Sequence, residues 1–270
     1  MNNIGKIAET TTIPSEITWN TNSDSLCNYM KEIEFLKSKL KDKAVIPRYV
    51  SEDLEYLEIP GLSRIAFPMI CFCDIPFSKI RIHIKKYGSY GIAFDKSRIL
   101  KKYGIQPIHY ISNKSPIKYD FKEAYLCSME IDEQNHKIAP LKDYLLSTVA
   151  FMKPVFGLEQ CEDGRRDYIF QNENEWRYVP AEKDIPTEMD YVMLNEYVSD
   201  NTIKYYSGEL EKQKKVWMNF EWEDIKYIIV PNEKDAMEMI SYIKELEINE
   251  EEKDVLVSKI EVTDRFLEDV

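Results

Sequence analysis

The sequence predicts an α+β fold, a mixed and mostly antiparallel sheet flanked by helices, and three observations carry that expectation. Apolar residues run almost unbroken from Ile65 to Phe72, as in a strand buried on both faces, and Asp74 and Pro76 then end it in a turn. Strand-like and helix-like periods alternate after it: residues 79–87 place Ile80, His83, Ile84 and Tyr87 at helical spacing, 90–94 read as a strand, 96–103 as a helix and 107–111 as a strand. Hydrophobic residues at 44% and aromatics at 12% supply a sizeable core for a chain of 270 residues.

Taken in order, residues 1–15 read as a flexible polar arm and 16–19 as a first strand. Ser23 or Asp24 caps a helix through about residue 40, because Leu26, Tyr29, Met30, Ile33, Leu36 and Leu40 form one apolar stripe. A short strand at 46–50 leads into the central stretch, where Gly88 sits at the left-handed position that closes a helix and Gly104 closes the next. Residues 120–131 and 140–152 show helical spacing, the second ending at Lys153-Pro154. Residues 160–166 form a charged turn. Residues 167–170 and 175–179 then read as a hairpin around 171–174 that puts Glu173, Glu175 and Arg177 on one face and Trp176 and Tyr178 on the other. Helices follow at 188–198 and 208–215, and strands at 216–222 and 225–230. Asn232 caps an amphipathic helix through 246 with Ala236, Ile240 and Ile243 inward. Residues 16–246 are thus expected as one domain, and 247–270 as an acidic, solvated or partner-masked segment with a strand at 255–262.

Charge and motifs exclude several function classes. Lys and Arg number 36 against 48 acidic residues, a formal charge of −12, so no extended nucleic-acid surface is expected. The five cysteines offer no paired CxxC spacing, so no metal is expected; Cys71 and Cys73 point the same way from one strand as a buried, reduced pair. No stretch approaches the ~20 apolar residues that span a bilayer, and residues 1–19 lack a secretory pattern, so a cytoplasmic location is expected. Gly88 and Gly91 form neither GxGxxG nor a Walker loop, and no G-x-S-x-G or HExxH string is present.

Two groups of residues carry chemistry. Glu173-x-Glu175-Trp-Arg177 is either a carboxylate-bearing catalytic strand or a cross-strand ion-pair face. His83 and Tyr87, one helical turn apart and following Asp74, either line a pocket or belong to the core. The strings CFCDIP, then His83, then YGSYGIAFDK, the 104–107 turn into IHYI, and ENEWRYVP at 173–180 closely resemble the AbiGi family of bacterial abortive-infection proteins over residues 45–180. Thr18 and Trp19 depart from the His-Phe pair often found on that family's first strand. A more distant resemblance is to DUF2971-type proteins and, beyond them, to ADP-ribosyltransferase-like folds. It implies an NAD-using toxin or effector in anti-phage defence, with Glu175 and His83 catalytic and Asp74, Tyr87, Tyr110 and Arg177 around the dinucleotide. The rival implication is a non-catalytic antitoxin or regulator that binds a partner toxin. The two differ in whether Glu175, His83 and Tyr87 converge on one concavity.

Overall fold

The computed structural model describes residues 23–130, 139–161 and 164–267; the strand expected at 16–19 lies outside them. Nine strands build the main sheet: β1 (Ser25–Met30), β2 (Arg48–Asp53), β3 (Arg64–Cys73), β4 (Tyr90–Asp95), β5 (Gln106–Pro107), β6 (Glu175–Tyr178), β7 (Met193–Leu194), β8 (Ile225–Val230) and β9 (Ile260–Val262). Their order along the main path is β9-β8-β4-β1-β3-β6-β5, with β2 and β7 also pairing with β3. Apart from the parallel β8–β9 pair, every pairing in this sheet is antiparallel, as expected.

The ten-residue β3 is the organising strand, and its unbroken apolar run has a direct cause. Ile65, Phe67 and Met69 pack with Phe121, Leu145 and Val149, whereas Ile70 and Phe72 join the cluster of Leu36, Leu40 and Met239. The α-helices of the described chain are α1 (Ile33–Asp42), α2 (Arg81–Tyr87), α3 (Lys96–Lys102), α4 (Pro116–Glu130), α5 (Ala139–Val149), α6 (Asp200–Leu210), α7 (Glu233–Glu245), α8 (Glu250–Ser258) and the short α9 (Asp264–Leu267). Helices α1, α7 and α8 cover one cluster, and α4 and α5 the other. Asn232 caps α7 by accepting from the Asp235 backbone N–H at 3.0 Å.

Several expectations from the sequence are corrected. The expected helix over 23–40 divides into β1 and α1, because Ser25–Met30 pairs with β4 along its whole length and tertiary pairing overrides a helix-like stripe. Residues 164–168 pair with Gly157–Cys161, not with β6, so the expected 167–179 hairpin does not form. Strand β6 pairs instead with β3, a hundred residues earlier, through Glu175 opposite Cys73 and Arg177 opposite Cys71. Residues 188–198 contain only the two-residue β7 and a short 3-10 turn, and the helix expected at 208–215 is replaced by α6, which ends at Leu210. Gly88 is not left-handed helical but adopts φ 109 and ψ 162. A Cβ there would sit 2.1 Å from the Met30 carbonyl oxygen, so only glycine lets α2 end against β1. In the acidic C-terminal part, α8 and β9 are docked: Leu256 and Val262 are buried and β9 extends the sheet.

Candidate functional site

Strand β1 meets β3 at one residue pair, Cys27 opposite Cys73, and from there the two strands part. The Asn28 amide bridges the gap by donating to the Cys71 carbonyl at 2.9 Å. The wedge becomes a cleft of about 450 Å³, within the range of small-molecule sites. Cys27, Cys71 and Cys73 lie at its narrow end, Phe35 and Lys39 of α1 and Lys31 at its other wall, and Arg48, Val50 and Glu52 of β2 beside them. Tyr87, Lys153, Glu173 and Glu175 close its charged side.

That charged side is built by four elements. Asn174, held at φ 44, turns the chain into β6; its amide donates to the Asp74 carbonyl at 2.7 Å while the Asp74 N–H donates to the Asn174 carbonyl at 3.1 Å. This reciprocal clamp fixes Glu173 and Glu175 beside the end of β3. The parallel pair His109–Ile111 and Met152–Pro154 sets Tyr110 opposite Lys153. The Tyr110 hydroxyl accepts from the Glu175 N–H at 2.8 Å, and Lys153 Nζ lies 2.8 Å from Glu175 and 3.0 Å from Glu173.

Arg177, wholly buried, donates from Nε to Glu175 at 2.7 Å and from its terminal nitrogens to Glu52 and to the Ala150 carbonyl at 2.5 Å. Glu173 also takes Lys86 at 2.5 Å and the Tyr87 hydroxyl, and Lys86 pairs with Glu159, which Arg166 holds at 2.9 Å. Four carboxylates, Glu52, Glu159, Glu173 and Glu175, thus face four cations, Lys86, Lys153, Arg166 and Arg177. Burial raises the Glu175 carboxyl, but Arg177 and Lys153 outweigh it and hold the group far below the usual glutamate range. Burial likewise opposes the charge on Lys153, and Glu175, Glu52 and Glu173 overcome it, leaving the lysine well above its usual value.

Of the residues singled out in the sequence, Glu175 and Tyr87 line the cleft, and so does Glu173. Arg177 and Tyr110 stand behind Glu175 as its partners. Asp74 is 1% exposed and pairs at 2.5 Å with Lys96, a wholly buried lysine whose ammonium also sits 4.7 Å from the Trp176 ring centroid. Burial raises the Asp74 carboxyl, with Lys96 opposing. His83 is 3% exposed, stacks on Tyr87 with ring centroids 6.0 Å apart, and leaves both ring nitrogens without a partner. It does not line the cleft; burial lowers its pKa and keeps the ring neutral. Sequence reasoning missed Glu52, Lys86 and Lys153. Lys153 left a signal, as the single charge in the apolar run from Val149 to Gly157, and Lys86 belonged to a basic string that reads as the solvated face of a helix. Among the described residues no cluster of His, Cys, Asp and Glu has the makings of a metal site, and no helix is long and apolar enough to cross a membrane.

Fold and site together define an α+β protein with a ligand-sized cleft in a parted sheet, flanked by a neutralised ionic network. The chain belongs to the AbiGi family: residues 42–231 match the model described as "Putative abortive phage resistance protein AbiGi, antitoxin". It is 29% identical over 251 residues to "Abortive phage resistance protein AbiGi" of Lactococcus lactis subsp. cremoris, a match covering 84% of this chain and 99% of that relative. No solved structure matches the chain.

Proposed function

We propose that this abortive-infection protein is the antitoxin-type member of a defence pair, acting in the cytoplasm by restraining a cognate toxin through direct contact rather than by catalysis. The observation that carries this reading is the saturation of the Glu175 carboxylate. A carboxylate that stabilises a developing cation must bring uncompensated negative charge to it, and Glu175 is already neutralised by Arg177 and Lys153. The family description as an antitoxin agrees. The outer faces of α4 and α5 present Ile117, Tyr119, Met129, Leu141 and Tyr144, each at least 42% exposed, which suits contact with a protein partner.

A second reading, an NAD-using ADP-ribosyltransferase-like toxin, is favoured by one feature: Glu175 and Tyr87 face the same cleft. Induced expression of the chain alone separates the two. The antitoxin reading expects normal growth, restored growth of cells that also express the cognate toxin, and no transfer of label from NAD. Growth arrest relieved by Glu175→Gln, together with label transfer in a lysate, would instead establish the transferase.

A further inference from the structure

The cleft has a second end that neither reading uses. Lys31, Lys39 and Arg48 stand around its mouth, and among the described residues none of the three has a carboxylate within ion-pair distance. Lys39 is the sharpest case. It is largely buried between α1 and β1, its ammonium donates to the Met30 sulfur at 3.7 Å, and burial followed by the charge of Arg48 lowers its pKa to about 8. Mutually repelling cations that line a cleft are groups an anionic ligand can neutralise.

From the mouth inward the walls are apolar, from Phe35, Met30, Val45, Ile46 and Met69. At the inner side lies the buried Tyr29 hydroxyl, beside the Cys27 thiol and able to hydrogen-bond a ligand. An anionic head, a flat apolar body and a hydrogen-bonding edge at the far end describe one ligand class. A fatty acid leaves the Tyr29 hydroxyl unmet, a sugar phosphate wastes the apolar walls, and inorganic phosphate fills neither.

We infer that this cleft binds a nucleoside mono- or diphosphate, with its phosphate at Lys31, Lys39 and Arg48 and its base between the apolar walls facing Tyr29. The inference goes beyond the antitoxin reading and does not depend on it, since it concerns binding alone.

The test is calorimetric titration of the full-length protein with AMP, ADP, GMP and GDP, beside adenosine, guanosine, inorganic phosphate and dodecanoate. At least one nucleotide should saturate with a Kd below about 1 mM, and its nucleoside and phosphate should each bind at least ~10-fold more weakly. Lys39→Met combined with Arg48→Gln should weaken the nucleotide by roughly 30-fold, the loss of about one charge-assisted contact or more, while Lys39→Arg retains it. Tyr29→Phe should cost less, a few-fold, and change the preference among bases rather than remove binding. Melting curves of each variant confirm folding. The inference is overturned by no saturable nucleotide binding, by phosphate or dodecanoate binding as tightly as the nucleotide, or by affinity indifferent to the Lys39 and Arg48 changes. None of these outcomes bears on whether the chain restrains a toxin, which the growth assay reads separately.

Discussion

The two ends of the cleft treat charge in opposite ways. On the Glu175 side every ionised group has an opposite partner within 3.0 Å, and the arginine at its centre has no solvent exposure. At the mouth, Lys39 and Arg48 repel each other without an intervening acid. A neutralised network holds strands and loops in register but has little field left for a ligand, whereas uncompensated charge weakens the fold and reaches outward. The contrast separates residues that make the cleft from residues that would use it.

The largest effect expected is at the network. Arg177→Ala takes from Glu52 its ion-pair partner and leaves Glu175 with Lys153 alone, both in the interior, and should cost about 3–5 kcal/mol, read by urea denaturation. A loss under ~1 kcal/mol would erase the distinction between the two ends.

Acid comes next. Glu159, Glu173 and Glu175 all have folded pKa values below the ordinary 4.5, so their contribution to stability is complete above about pH 4.5 and is lost as pH falls through and below it. Asp74, raised by burial, works in the other direction but is one group against three. Stability should therefore drop between pH 5 and pH 3, and Glu175→Gln, which lowers stability at pH 7 by about 1–3 kcal/mol, should flatten that drop.

At the mouth the sign reverses. Lys39→Met removes a charge that folding has to desolvate beside Arg48, and should raise stability by on the order of 1 kcal/mol in thermal or urea unfolding. A destabilised Lys39→Met protein would mean that the lysine is structural.

The smallest and sharpest contrast is in salt. With screening over ~10 Å at 0.1 M, ligand binding at the exposed mouth should weaken from 50 to 500 mM salt, while the melting temperature set by the buried network moves little.

Much of the fold was legible because its signals were local. The run in β3 and the stripe in α7 were written in uninterrupted patterns, and Gly88 marked a helix end even though its conformation proved different. Failure came where pairing was remote: SLCNYM in β1 fits either period, and its partners lie near residue 93 and at Cys73. For the same reason residues 167–179 looked like a hairpin when both halves paired elsewhere. In the site, alternation along EWRY placed Glu175 and Arg177 on one face correctly. Glu52, Lys39 and Arg48 were illegible because the cleft they line exists only where β1 and β3 part, a tertiary event with no local trace.

The strand order has a consequence for when the protein becomes complete. Strand β4, at residues 90–95, is paired on one edge by β1 and on the other by β8, which begins at Ile225, and β8 is in turn covered by β9 near the end of the chain. A ribosome adding ~5–20 residues per second therefore leaves that second edge of β4 open for on the order of ten seconds after its first partner has docked. During that interval the nascent chain carries an apolar strand edge that invites other chains. A chain released before residue 262 lacks the last cover, so premature termination removes the finished sheet rather than trimming its rim.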